Sequence, residues 1–255
     1  MAHKSISIVT VCKNSALTIV DTIISVLEQE HPGLEYIIID GVSNDGTQEM
    51  VRSFGCKIDT FVSEQDDGIA DAFNKGIRCS SGEIIGMINS DDCLQSGAVD
   101  KVVSFFDEHP DVEVLHGDVD LYDGARFIKR VRPAGRWWYP WRLVLFNHPA
   151  TFVRRSVYEK YGLFDKNYRI AMDVEIFLRW IHKGVKIAYM PDVLVSMQAG
   201  GMSSQNARQG YREVRSTLQA YSFSKTLSNI QYVVKVLLQW ILSPKFKHKK
   251  MFFVK

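Results

Sequence analysis

The chain has 255 residues and a formal net charge of +2, enough length for one large core and too little charge for a general nucleic-acid binder. No stretch reaches the roughly 20 apolar residues of a membrane-spanning helix, and the start leads into a strand without a cleavable apolar leader. Cys12, Cys56, Cys79 and Cys93 have no paired spacing, so reduced thiols in a cytoplasmic protein are expected.

Strands are expected over 5–12, 34–40, 60–63 and 83–88, each a run of β-branched and apolar residues. Helices fall between them. The first, capped by Asn14 or Ser15, carries Leu17, Val20, Ile23, Ile24 and Leu27 on one face. Others follow over 47–53, 68–78 and 98–107. This alternation implies an α/β fold with a parallel, doubly wound sheet, which binds ligands at the carboxyl ends of its strands. Beyond Pro110 short strands are expected over 112–116, 119–122, 127–131, 148–153, 186–190 and 193–197. An Asp123-Gly124 hairpin turn, a helix over 156–161 and a helix opened by Asp173 and ended by Gly184 lie among them. Gly200-Gly201 marks a mobile loop, and helices over 206–223 and 229–242 complete the pattern.

The strand over 83–88 stops at Asn89-Ser90-Asp91-Asp92. Two adjacent carboxylates repel each other, and a divalent cation would remove that repulsion; a solvated, helix-capping turn is the alternative. A nucleotide suits this sheet, yet neither G-x-G-x-x-G nor G-x-x-x-x-G-K-[ST] is present. A metal on Asp91 and Asp92 would neutralise a diphosphate in their place, which points to a nucleoside-diphosphate-activated substrate.

Several motifs together resemble one family. Residues 5–14, Asp40 with Ser43-Asn44-Asp45-Gly46-Thr47, Gly68-x-x-x-Ala72-x-Asn74-Lys75-Gly76 and Asn89-Ser90-Asp91-Asp92 look like the family 2 glycosyltransferases of the GT-A fold. His148-Pro149-Ala150-Thr151-Phe152, Tyr161-Gly162-x-Phe164-Asp165 and Asp173-x-Glu175-x-Phe177-Leu178-Arg179 resemble the acceptor-side motifs of its bacterial polysaccharide branch. The resemblance covers residues 4–205. It implies a Rossmann-like, mostly parallel central sheet flanked by helices: a glycosyltransferase domain over 1–204, with a nucleotide-sugar half (1–110) and an acceptor half (111–204), and a C-terminal helical extension with a basic tail over 205–255.

The resemblance also implies residue roles. Asp40 would bond the uracil ring or ribose, and Thr10 and Lys13 would lie against the base, mainly through backbone. Asp66, Asn74 and Lys75 would sit near the nucleotide or donor sugar. Asn89 stands where many relatives have an Asp and would bond a ribose hydroxyl. Asp91 would be the principal ligand of Mn²⁺ or Mg²⁺ and Asp92 a secondary one. Asp173 matches the catalytic base, where a helix start favours the ionised form. The acidic residue that often precedes this Asp is here Met172, and Glu175 is a lesser candidate. His148 would contact phosphate or acceptor. Trp137, Trp138, Tyr139 and Trp141 offer aromatic platforms for sugar rings, with Trp138 taken as an acceptor contact.

The implied enzyme is an inverting glycosyltransferase moving a sugar from a nucleotide-sugar donor, expected to be UDP-linked, to a saccharide or lipid-linked acceptor in cell-surface polysaccharide synthesis. The rivals are a sugar nucleotidyltransferase and a non-catalytic nucleotide-sugar-binding protein. In the last helix only Gln231, Lys235 and Gln239 are polar in one stripe, too narrow for a simple surface helix. Beyond Pro244 come five lysines, three phenylalanines and no acid. Residues 229–255 therefore suit the cytoplasmic face of an anionic membrane, or a second subunit of a homo-oligomer.

Overall fold

The structure is a computed structural model and describes residues 6–133, 146–201, 206–221 and 224–242. Its first strand, β1 (Ile6–Cys12), is buried along its whole length. The strands β2 (Leu34–Asp40), β3 (Thr60–Ser63) and β4 (Ile84–Asn89) lie parallel in the order β3-β2-β1-β4. Strands buried on both faces read as continuous apolar runs and need helices on each side. Alternate residues divide accordingly. Ile6, Ile8, Tyr36 and Ile38 pack with α1 (Ile19–Leu27), α2 (Thr47–Ser53) and α4 (Ala98–Glu108), whereas Val9, Val11, Ile37 and Ile39 pack with α3 (Ile69–Cys79), α5 (Arg155–Tyr161) and α6 (Met172–His182).

The sheet continues beyond β4 through β8 (Thr151–Arg154), β6 (Val114–Asp123), β9 (Ile187–Gln198) and β5 (Cys93–Leu94), with β7 (Arg126–Val131) hairpinned onto β6. Because β8 is antiparallel to both β4 and β6, β6 runs parallel to β4 and its carboxyl end reaches the same edge. The expected mostly parallel α/β architecture with C-terminal helices is what the structure has. Those helices are α7 (Ala207–Ala220) and α8 (Lys225–Leu242); α8 begins earlier than residue 229.

Several expectations need correction. The pairs of strands expected over 112–122 and 186–197 are single strands, each carrying an irregularity where the other does. Register shifts between His116 and Asp118, where Pro191 lies opposite. A Cβ at Gly117 would meet Leu194 Cδ1 at 2.6 Å and the Asp192 carbonyl at 2.9 Å, so glycine permits the close approach and the bulge gives Pro191 a place outside the ladder. The helix after β1 starts at Ile19, not at residue 15, and buries Ile19, Thr22, Ile23 and Val26. Leu17 and Ile24 are exposed. Neither Asn14 nor Ser15 caps it by a side chain; the Ser15 carbonyl accepts the N–H groups of Thr18 and Ile19. His148–Ala150 form a 3₁₀ turn ahead of β8 in place of the strand's first half.

Candidate active site

Strand register assembles the site. Cys12 stands beside Asp40, Asp40 beside Ser63, and Asn89 beside Val11, so the carboxyl ends of four adjacent strands present polar groups along one edge. The loops beyond are stitched together. Asn14 N–H donates to Ser43 Oγ at 2.7 Å, Asn44 N–H to Asn14 Oδ1 at 3.0 Å and Ser15 N–H to Thr47 Oγ1 at 2.8 Å. The Ser15 and Ser90 hydroxyls meet at 2.7 Å.

Asp40 is fully buried. Its carboxylate accepts the Ser43 N–H at 3.0 Å, the Ser63 hydroxyl at 2.6 Å, the Ser43 hydroxyl, and the Cys12 thiol at 3.6 Å. Burial and the charge of Asp40 hold that thiol protonated. Thr10 lies further inside the sheet, between Ile38 and Ile88, with its hydroxyl 3.1 Å from that of Tyr36. Lys13 is exposed and, with Asp66, covers the backbone of Gly41. Asp66 also accepts the Gly68 N–H at 3.0 Å. Thus Lys13 and Asp66 flank the β1–β2 edge, whereas Thr10 does not reach it.

Two residues expected near the donor have internal partners. The Asn74 amide is buried and exchanges two 2.9 Å hydrogen bonds with the backbone of Phe164, locking α3 to the segment before α6. Lys75 donates to the Gln65 carbonyl at 2.6 Å and pairs with Glu64 at 2.9 Å. Beside them a cleft of about 670 Å³ is lined by Asp67, Arg78, Lys166 and Arg169 among others.

The two carboxylates after β4 differ sharply. Asp92 is 1 % exposed; it accepts the Asn89 amide at 2.9 Å and the Gln198 N–H at 3.3 Å. Its backbone carbonyl accepts the Thr22 hydroxyl at 2.8 Å. Burial, then the charge of Asp91, push its carboxyl up to about 7. Asp91 is half-buried, and desolvation raises its carboxyl also. Among the described residues no other residue donates to it. A desolvated carboxylate without a donor, next to a second one, suits a divalent cation. Among the described residues no three His, Cys, Asp or Glu side chains converge on one point, so diphosphate oxygens and water would complete such a shell, as is usual for Mg²⁺.

The acidic residues expected on the acceptor side lie on α6. Asp173, in its first turn, is half-buried and bonded by the Val174 N–H at 2.8 Å. Burial pushes its carboxyl up to about 6, and Glu213 adds to the rise. Residues four apart share a helix face, which sets Asp173 in line with Phe177. Phe177, Phe73 and Phe164 surround the ring of His148, with centroids 6.2, 4.9 and 5.8 Å away. That surrounding pulls His148 down to about 4 and leaves it a neutral hydrogen-bonding group at physiological pH. Since His148 lies just ahead of β8, beside β4, this contact sets the start of α6 over the strand edge. Glu175 is buried, held by Arg179 at 2.6 and 3.1 Å and by the Tyr221 hydroxyl at 2.8 Å. Trp138 and its aromatic neighbours lie outside the described residues.

Sequence reasoning passed over three groups here. Asp118 on β6 is 2 % exposed, bonded by the Tyr189 hydroxyl at 2.7 Å and 3.5 Å from Arg132. Next to it His116 is buried, with Nδ1 lacking a hydrogen-bond partner. Glu213 on α7 bonds the segment ahead of Asp173. Only the His116-Gly117-Asp118 string, at a strand's polar end, carried a local signal.

Comparison with known proteins identifies the family and the fold. The family model described as Glycosyl transferase family 2 matches residues 7–168. A PGL/p-HBAD biosynthesis glycosyltransferase of Mycobacterium bovis is 26 % identical over 216 residues, 80 % of this chain and 81 % of its own. The putative teichuronic acid biosynthesis glycosyltransferase TuaG of Bacillus subtilis is 34 % identical over 107 residues, 40 % of this chain and 42 % of its own. Among solved structures, Staphylococcus aureus TarS 1-349 in complex with UDP-GlcNAc superposes with a TM-score of 0.65 at 15 % identity, covering 98 % of this chain and 76 % of that one. Against the longer TarS chain the coverage is 44 % of that chain. The mannosyltransferase PcManGT of Pyrobaculum calidifontis, in complex with GDP-Man and Mn²⁺, gives 0.64 at 16 % identity over 95 % of this chain and 77 % of that one.

Proposed function

The chain belongs to glycosyl transferase family 2, and from that premise we propose that it transfers a sugar, with inversion, from a UDP-linked donor to a hydroxyl of a saccharide or lipid-linked acceptor in cell-surface polysaccharide synthesis. The observation that carries this reading is Asp91: a desolvated carboxylate that has, among the described residues, no donor from another residue, at the edge where four strands end. The relatives named for PGL/p-HBAD and teichuronic acid biosynthesis support a role in cell-surface glycoconjugate synthesis.

Lys13 and Asp66 flank the nucleotide, and Asn89 faces the ribose. Asp40 reaches the base only when the strained turn at Val42-Ser43 moves, because that turn's own donors fill its carboxylate. Asp91 would hold Mn²⁺ or Mg²⁺, with the buried Asp92 beside it. The bound cation would offset the charge that grows on the departing nucleoside diphosphate. Asp173, ionised, takes the proton of the acceptor hydroxyl. The oxygen bonds to the anomeric carbon from the face opposite the diphosphate, whose bond breaks; this single displacement inverts the centre. His148 contributes a neutral imidazole to the acceptor wall.

The test is a panel of nucleotide sugars incubated with the protein and Mn²⁺. Release of UDP is expected. Release of pyrophosphate would make the protein a nucleotidyltransferase, and binding without turnover a carrier.

A membrane role rests on a separate observation. In α8 the polar Ser228 and Gln231 are buried, whereas Ile230, Val233 and Val234 are 45, 52 and 39 % exposed. No helix among the described residues is long and apolar enough to cross a membrane. An outward apolar face followed by the lysine-rich, acid-free residues 245–255 fits the surface of an anionic bilayer. Sedimentation with phosphatidylglycerol vesicles, but not with phosphatidylcholine vesicles, is expected. A vesicle-indifferent dimer would assign the face to a second subunit.

A further inference from the structure

Glu213, midway along α7, takes no part in the chemistry above, yet it holds the segment that delivers Asp173. Its carboxylate accepts three successive backbone N–H groups: Arg169 at 3.2 Å, Ile170 at 2.8 Å and Ala171 at 2.8 Å. Gln209, one turn earlier on α7, donates to the same carboxylate at 2.8 Å. The N-cap of α6, Ala171, makes no side-chain hydrogen bond, so nothing local fixes how the chain enters the helix. Glu213 supplies that anchor from another helix, more than 40 residues away in the chain.

Two further contacts bear on the same segment. α7 comes close at Gly210, where a Cβ would lie 3.1 Å from Ile170 Cγ2, and Val214 and Leu218 pack with Ala171 and Leu178. From the opposite side the Arg169 guanidinium donates to the Asp67 carbonyl, and to the Asp67 carboxylate at 2.9 Å. Residues 169–171 are thus strapped between the loop before α3 and the C-terminal helix α7.

We propose that Glu213 is a positioning residue for Asp173, which makes α7 a working part of the catalytic unit and not an appendage to it; this rests on the reading of Asp173 as the base. The charged groups around the segment fit that role. Arg169 is committed to Asp67, and Glu175 to Arg179 on α6 itself, with Tyr221 beyond α7 bonded to Glu175. Among the described residues Glu213 is the anion whose charge reaches Asp173, and it adds to burial in holding that carboxyl high.

Glu213→Gln keeps an acceptor and removes the charge, and Glu213→Ala removes both. In each, UDP affinity should stay at the wild-type value, because the strand edge is untouched. The Asp173 carboxyl, followed by carbon NMR in aspartate-labelled full-length protein, should titrate at a lower pH than in wild type. Release of UDP from UDP-GlcNAc with Mn²⁺ should fall about 10²-fold in Glu213→Ala, the order expected for a reacting group displaced by about 1 Å, and less in Glu213→Gln. A wild-type Asp173 titration together with wild-type turnover in both variants would overturn the proposal. Asp173→Asn separates the two readings: if that variant turns over normally, Asp173 is not the base. If it is inactive while the Glu213 variants match wild type, only the positioning role fails.

Discussion

The segment after β4 and the first turn of α6 each carry a pair of acidic residues, and in each pair the fold engages one while the proposed mechanism uses the other. After β4, Asp92 is buried under the Asn89 amide and the Gln198 N–H, whereas Asp91 has no donor from another of the described residues. On α6, Glu175 is buried against Arg179 and Tyr221, whereas Asp173 accepts, among the described residues, a neighbouring helix N–H. The difference lies in the charge balance. Glu175 is neutralised by a guanidinium, so the acceptor edge has one uncompensated carboxylate, raised by burial and by Glu213 into a range where it exchanges a proton. Among the described residues the pair after β4 has no cation of its own, and the charge of Asp91 adds to the cost of ionising Asp92. In the mechanism proposed above, one edge moves a proton and the other receives a cation.

Removing the free acceptor-side carboxylate tests this most strongly. Asp173→Asn should lower transfer about 10²- to 10⁴-fold, the usual worth of a positioned base, while UDP binding persists. The same carboxyl fixes a pH dependence. It titrates near 6 in the folded chain against an ordinary 3.8, so between those values the folded state holds more protons than the unfolded one. Stability then falls as pH rises through that window, while turnover, which needs the anion, rises through about 6. Asp173→Asn should remove the fall in stability and be the more stable protein above pH 6. Equal pH profiles of melting in the two proteins would break the assignment.

On the donor edge the two members of the pair should separate. Asp91→Ala should lower metal-dependent transfer about 10³-fold, since a cation on a leaving diphosphate supplies several kcal/mol, and UDP affinity should lose its response to Mn²⁺. Asp92→Asn, which keeps an acceptor for the Gln198 N–H, should retain that response. Calorimetric titration of UDP with and without Mn²⁺ reads both. The opposite pattern would exchange the roles of the two residues. The corresponding anchor on α6 should fail differently: Glu175→Gln leaves Arg179 without its anion, and breaking such a buried pair costs about 3–5 kcal/mol of stability. Its Asp173 titration should not move.

What could be read from sequence follows the range of the interactions involved. The four parallel strands were legible because a strand buried on both faces must be apolar throughout, and their polar ends marked the edge. The α1 face was read in part: Ile23 is buried and Val20 and Leu27 pack against the core, but Leu17 and Ile24 are exposed while Ile19 and Val26 are buried, because the two stripes are adjacent and the starting point selects between them. β6 looked like two strands because a glycine reads as a break, whereas Gly117 sits inside one strand as a bulge. Asp91 and Asp92 are chemically identical in the sequence; which one turns inward depends on Gln198, more than 100 residues later. Glu213 was invisible for the same reason, since its partners are backbone amides, which have no signature in side-chain type.

The smallest effect concerns the turn that covers Asp40. Val42 adopts φ 59° and is 53 % exposed, so a β-branched side chain occupies left-handed backbone with little packing in return. That conformation costs an L-residue about 1–2 kcal/mol, while a glycine there loses about 0.5–1 kcal/mol through its freer unfolded chain. Val42→Gly should therefore stabilise the protein by about 0.5–1 kcal/mol in urea denaturation, as the difference of those two terms. Strain stored at such a turn is kept where the surroundings over-determine it, and here the surroundings are the Ser43 N–H and hydroxyl that cap Asp40. If the strain drives the turn to release Asp40 when a base arrives, relieving it should also weaken UDP binding. A more stable Val42→Gly protein with unchanged UDP affinity would leave Asp40 as an anchor of the fold, the donor edge's counterpart to Glu175.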